Sequence, residues 1–172
     1  MYRYGRHPGR WFTDLARSGS IAYDLHVHDA DTALWMFGEP EKVFAAGRTP
    51  GSGPQTLHAV WQYRDGFSVG FECGWDAASD FNYGSRIFCA AGTLNCDARS
   101  TGGGLELARP GERPQVVCTG GFSEAIAAED AYFLQCAAAG ERPRRCPPDE
   151  SLRTIRYAQR TLEQLIGPPV EA

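Results

Sequence analysis

Residues 18–38, SGSIAYDLHVHDADTALWMFG, decide how the rest of the chain is read. The stretch admits two conformations. As a strand, Asp24-Leu25-His26-Val27-His28 would set both histidines on one face, the arrangement of metal-dependent hydrolases. As a helix, Ser18 or Ser20 caps the start, and Gly38 followed by Pro40 ends it. At about 100° per residue, Tyr23, Val27, Ala30, Leu34 and Phe37 then share one face. Asp24, His28, Asp31 and Trp35 form a narrow polar stripe on another, where Asp24 and His28 meet because side chains four apart stack.

The string DLHVH is similar to the opening motif of the polymerase-and-histidinol-phosphatase hydrolases, and a count of ligands tests that reading. A barrel-type metal site needs histidines and carboxylates from later strands. Beyond position 31 only His58 remains, and no strand–helix alternation follows. The residues DADTALWMFGEP carry on a helical period instead, so the stretch is read as a helix. A metal hydrolase using His26 and His28 stays as the lesser alternative. With apolar residues almost all round, the helix is expected to be buried. Its Asp24–His28 pair then has two readings. It is an acid/base couple near neutral pH, with the carboxylate orienting the ring, or a satisfied ion pair that only fixes the helix.

Working outward, the first 17 residues show no periodicity, and the middle of the chain is β. Lys42–Gly47 is a strand candidate before a Gly/Pro loop, GRTPGSGPQT. Leu57–Tyr63 and Phe67–Trp75 flank Arg64-Asp65-Gly66 and read as a hairpin. In its second arm Phe67, Val69, Phe71, Cys73 and Trp75 alternate with Ser68, Gly70, Glu72 and Gly74. One face is therefore apolar, and the other is small and flat, suited to close approach by another surface. Further strands are expected at Arg86–Ala91, Leu94–Asp97, Leu105–Ala108 and Gln115–Cys118. Ser123 caps a helix to about Ala139, and Asp149 or Ser151 opens a last one that Gly167-Pro168-Pro169 stops. This order predicts an α+β fold. It has an open, mostly antiparallel sheet, with an N-terminal helix and two C-terminal helices packed on one face.

Composition sets the outer limits. The chain has 172 residues, 42% hydrophobic, 12% aromatic and 22% charged, with net charge −4. That is one globular domain over residues 1–172, too apolar to be disordered. No apolar run approaches the roughly 20 residues of a membrane span, and MYRYGRHPGRWF lacks the apolar core of a secretory signal. A cytoplasmic protein is expected. Acidic residues outnumber basic ones, and the densest basic run, Arg142-Pro143-Arg144-Arg145, reads as a solvated loop, against a nucleic-acid partner. The six cysteines form no C-x-x-C pair and read as free thiols, Cys73 and Cys89 as small core residues. No metal site is assigned.

Trp11–Gly47, WFTDLARSGSIAYDLHVHDADTALWMFGEPEKVFAAG, resembles the start of the C-terminal domain of the Gfo/Idh/MocA oxidoreductases. Gly19, Asp24, His28, Asp29, Asp31, Gly38 and Pro40 match that family's pattern. Ile87–Asp97 is similar to its strand-Gly-Thr-Leu-strand element, and Glu129–Leu165 looks like its two closing helices. The resemblance implies a sheet whose exposed face pairs with a second subunit, and a site shared with an N-terminal Rossmann domain. In that site a sugar or cyclitol hydroxyl is bound, His28 acts as acid/base with Asp24 as its partner, and hydride passes to NAD or NADP.

The chain departs from the pattern in its cofactor half. No room for a Rossmann domain precedes Trp11, no G-x-G-x-x-G occurs, and Gly51-Ser52-Gly53-Pro54 lacks the third glycine. The family's Glu-Lys-Pro lysine is missing, and Lys42, the only lysine, stands in Pro40-Glu41-Lys42-Val43. No residue of this chain is therefore assigned to cofactor binding; NAD or NADP enters only if a Rossmann-domain partner completes the site. The expectation is a substrate-binding and dimerisation domain, a homo-oligomer through its sheet face, that is no dehydrogenase by itself. The alternative is a non-catalytic β-sheet dimerisation or ligand-binding module.

Overall fold

A computed structural model describes residues 1–6, 9–48 and 55–165. The Gly/Pro loop read at 47–56 falls mostly outside the described residues, as do Gly51–Pro54 and the Gly167–Pro169 stop. Eight strands and the helices beside them make an α+β fold in which every described pairing is antiparallel except β1 on β4. The chain divides into two compact units, Met1–Phe81 with Asp149–Ala172, and Asn82–Pro148.

In the first unit the strands run in the order β2-β3-β4-β1: β2 (Lys42–Arg48), β3 (Thr56–Gln62), β4 (Ser68–Gly74) and β1 (Tyr2–Tyr4). The hairpin turns at Arg64-Asp65-Gly66 as its residues dictate. Gly66 takes a left-handed φ of 86°, the Tyr63 N–H donates to the Phe67 carbonyl at 3.0 Å, and their rings stack 4.5 Å apart. Two four-residue turns, α1 (Arg10–Thr13) and α2 (Leu15–Ser18), lead into a π turn at Ala22–His26 that continues as α3 (Val27–Phe37).

Alternation fills the inner face of this sheet. Leu57, Ala59 and Trp61 of β3 are buried beside Val69, Phe71 and Cys73 of β4. Ile21, Leu25, Ala30 and Leu34 close over them, joined by Tyr157 and Leu162 of α5 (Pro148–Leu165). The last helix also guards the edge of β2, where Gln164 accepts from the Ala45 N–H at 2.9 Å and donates to the Val43 carbonyl at 2.5 Å. On the outer face Phe44, Val60 and Gly70 stand in register and exposed, next to a row of Ala46, His58 and Glu72.

The second unit is an antiparallel meander of β5 (Asn82–Cys89), β6 (Gly92–Asp97), β7 (Leu105–Ala108) and β8 (Gln115–Cys118). It is followed by α4 (Phe122–Ala139), which ends at a left-handed Gly140 with φ 67°. No residue of α4 is buried.

Four readings change. The first 17 residues hold a strand, β1, which a three-residue Tyr-Arg-Tyr segment without alternation could not announce. The polar stripe of the 18–38 helix is not buried, since His28 and Trp35 are exposed; Asp29 lies inside instead. The α4 helix starts at Phe122, so the cap position expected at Ser123 falls on Gly121, and the Glu124 carboxylate reaches back to accept from the Gly121 N–H at 3.0 Å. Cys73 lies in the core as expected, but Cys89 is exposed.

Candidate active site

The site begins at a backbone corner. Gly19 has φ +73°, and a Cβ there would stand 2.7 Å from the Tyr23 ring, so the position demands glycine. Ser20 follows with φ 81°, a strained conformation for a side-chain-bearing residue. Its carbonyl accepts from Tyr23 and Asp24, and its Oγ accepts from the Ala22 N–H at 3.3 Å. The chain then winds as a π turn, whose i→i+5 closure is wider than that of an α-helix.

That turn separates the two histidines. His26 is fully buried, with its ring edge-on to Phe71 and Trp61 at 4.8 and 5.8 Å. Burial pulls its pKa down to about 3, so the ring is neutral. Thr161 Oγ1 gives its own proton to the Tyr157 carbonyl at 3.0 Å, so His26 Nε2–H is the donor in the 3.2 Å contact with Thr161. His28 is exposed. The two rings do not share a face, which removes the metal-hydrolase reading, and no group of three or more His, Cys, Asp or Glu suited to a metal is found among the described residues.

Around His28 the electrostatics are mixed. Partial burial and the Arg3 guanidinium lower its pKa below the ordinary 6.5, while Asp29, Asp24 and Asp31 oppose them. The net direction is down, so at neutral pH the imidazole is uncharged and able to take a proton. Arg3 reaches across from β1, its Nε 2.9 Å from Asp29 Oδ1. Asp29 is buried, and burial raises its pKa against the opposing pull of Arg3. Asp31 accepts from Thr154 Oγ1 at 2.6 Å, which ties this helix to α5.

Asp24 lies in the π turn, partly buried. It acts on His28 through space, and no hydrogen bond joins the pair among the described residues. Its partner is the indole of Trp75, whose Nε1–H donates to Asp24 Oδ2 at 2.6 Å. Trp75 follows directly on β4, with Phe12 and Phe81 each 5.9 Å from its ring. The alternation of Phe67–Trp75 puts Trp75 on the apolar face at the end of the run. Its indole donor was the one signal of another role. Nothing in the sequence marked Arg3.

A dinucleotide requires a Gly-rich strand-to-helix turn whose helix N-terminus meets the pyrophosphate. In the second unit β8 does pass through Thr119-Gly120-Gly121 into α4. However, β8 pairs antiparallel with β7, and the Glu124 carboxylate already takes the Gly121 N–H, setting a negative charge where phosphate would bind. This turn therefore does not fit the pyrophosphate of NAD or NADP.

The model of the GFO/IDH/MocA C-terminal domain matches residues 1–95, which include Asp24, His28 and Trp75. The chain belongs to this GFO/IDH/MocA C-terminal domain family. Solved structures with the same fold include UDP-N-acetylglucosamine 3-dehydrogenase GnnA from Acidithiobacillus ferrooxidans, at 22% identity and TM-score 0.78 over 95% of this chain and 51% of that one. Levoglucosan dehydrogenase in complex with NADH aligns at 14% identity and TM-score 0.78, covering 96% of this chain and 56% of that one. GenD2 from gentamicin A biosynthesis, in complex with NAD, aligns at 16% identity and TM-score 0.75, covering 96% and 52%. The chain thus spans about half the length of the structures it matches. No curated protein sequence matches it. The match supports an oxidoreductase-type C-terminal domain; among the described residues no helix is long and apolar enough to cross a membrane.

Proposed function

We propose that this GFO/IDH/MocA domain is the substrate-binding half of an oxidoreductase acting on a hydroxyl of a sugar or cyclitol. His28 exchanges the hydroxyl proton, and Asp24 receives the hydroxyl and favours the imidazolium by its charge. The observation that carries the reading is the exposed, neutral His28 with three carboxylates around it, within the stretch that resembles the family's Asp-x-x-x-His-Asp-x-Asp pattern. The redox partner, NAD or NADP, belongs to a Rossmann domain outside the described residues, and only the proton is handled here. The relatives' printed names, a UDP-N-acetylglucosamine dehydrogenase and a levoglucosan dehydrogenase, supply the probes.

Calorimetric titration tests this. Wild type is expected to bind UDP-N-acetylglucosamine or levoglucosan saturably, His28→Ala and Asp24→Asn about tenfold more weakly, and NADH is expected to give no saturable heat. Sugar binding that neither substitution weakens overturns the site assignment. Stoichiometric NADH binding overturns the division of labour.

We further propose that the outer face of the first sheet is where two copies pair. Phe44 and Val60 are 50% and 43% exposed there, beside the side-chain-free Gly70. Sedimentation of Phe44→Glu, monomeric where wild type is dimeric, is the expected result.

A further inference from the structure

Four tryptophans occur in this chain. Trp61 is buried, Trp11 and Trp35 are 44% and 79% exposed, and Trp75 is half-buried with its ring nitrogen directed at a carboxylate. A half-buried indole has no need of an ionised partner, because water can satisfy its single donor. The 2.6 Å contact with Asp24 is therefore a specific, charge-assisted bond.

The mounting of Trp75 is fixed from both sides. Its backbone N–H donates to the Gln55 carbonyl at 2.9 Å, and the carbonyl just before it, of Gly74, accepts from the Gly5 N–H at 3.0 Å. The ring meets Phe12 at an interplanar angle of 61° and Phe81 at 32°. Phe81 in turn can approach because position 5 is glycine; a Cβ there would lie 2.9 Å from the Phe81 Cα. A rigid donor thus holds one carboxylate oxygen of Asp24, and no hydrogen bond is made to the other, Oδ1, among the described residues.

We propose that Trp75 is a positioning residue for the Asp24–His28 pair: its indole N–H pins Asp24 through Oδ2 and keeps Oδ1 free to accept a hydrogen bond from the substrate hydroxyl. This rests on the reading of Asp24 and His28 given above. It also explains why the position holds tryptophan, since phenylalanine would fill the same aromatic cluster but has no donor.

Two readouts test it. In a ¹H–¹⁵N spectrum, Asp24→Asn is expected to move one indole resonance upfield, the same one that Trp75→Phe deletes, and to leave the other three in place. In calorimetric titrations with levoglucosan and UDP-N-acetylglucosamine, Trp75→Phe is expected to weaken binding about tenfold without lowering the melting temperature. The double variant should bind no worse than Asp24→Asn alone, because both changes remove the same contact. A packing role would instead give additive losses and leave the indole spectrum of Asp24→Asn unchanged, which overturns the proposal. If Asp24→Asn weakens binding while Trp75→Phe does not, the proposal fails and the site assignment stands. If wild type binds neither probe, the functional reading fails and the positioning role falls with it.

Discussion

The two compact units of this chain have similar numbers of strands and opposite interiors. Every buried hydrophobic side chain, from Ile21 to Leu162, lies in Met1–Phe81 or on α5. In Asn82–Pro148 the described residues that are buried are Asn82, Gly84 and Gly104, while Phe88, Phe122, Phe133 and Leu134 are 59–77% exposed. Burial of apolar surface is the dominant favourable term in folding, so the first unit carries the stability and the second contributes little of it. The candidate site is built on the first. Asp24, His28, Arg3 and Trp75 are all held by elements that also enclose the core, which suits a site whose geometry must be set before substrate arrives.

The largest effect that can sharpen this contrast is at Trp61. Its side chain is fully buried and touches His26, Phe71 and Tyr157 by its ring. Trp61→Ala should cost about 3–5 kcal/mol in urea unfolding, through lost transfer energy and the cavity left behind. A loss under 1 kcal/mol would mean that the first unit is not where stability resides.

Acid should act on the same unit next. His26 binds its proton with a pKa of about 3 when folded and near the ordinary 6.5 when unfolded. Below about pH 6.5 the unfolded chain gains a proton that the folded one refuses, so stability falls as pH drops from there toward 3 and is unaffected above it. The contribution reaches about 3 kcal/mol by pH 4. Urea midpoints from pH 7 to 4 for wild type and His26→Leu give the measurement. The difference between them should shrink steadily with acid in favour of the variant. Parallel pH profiles would contradict the buried, neutral assignment.

What could be read in advance follows the same physical divide. Seven of the eight strands were legible, because alternation in segments such as Phe67–Trp75 reflects one face turned to a core. The strand Tyr2–Tyr4 was not, since it is defined by parallel pairing to Glu72–Gly74, far along the sequence. The helix at 18–38 was legible as a helix, but its faces were not. A uniform 100° step put Asp24, His28 and Asp31 in a buried stripe, whereas the π turn at Ala22–His26 breaks that step and sends His26 and Asp29 inward. In the candidate site, Asp24 and His28 were named from their spacing and the motif. Trp75 and Arg3 are brought to them by the sheet, and no local pattern encodes that.

The smallest expected effect lies in the second unit and is the one most able to break the comparison. Phe133 projects from α4 at 59% exposure, and the helix buries none of its residues. Removing a side chain that already meets water deletes little transfer energy and opens no cavity, so Phe133→Ala should change the unfolding free energy measured in urea by less than about 0.5 kcal/mol. The same holds for Leu134→Ala, at 65% exposure. These two side chains are adjacent in sequence and so diverge on the helix, and neither can shield the other from solvent. A loss of 2 kcal/mol or more at either position, on the scale of a fully buried side chain, would show that α4 is covered in solution. If that loss grew with protein concentration, the cover would be a second copy of the chain, since association stabilises by mass action. The contrast between the units would then describe the isolated chain alone, and the exposed apolar residues of the second would mark an interface.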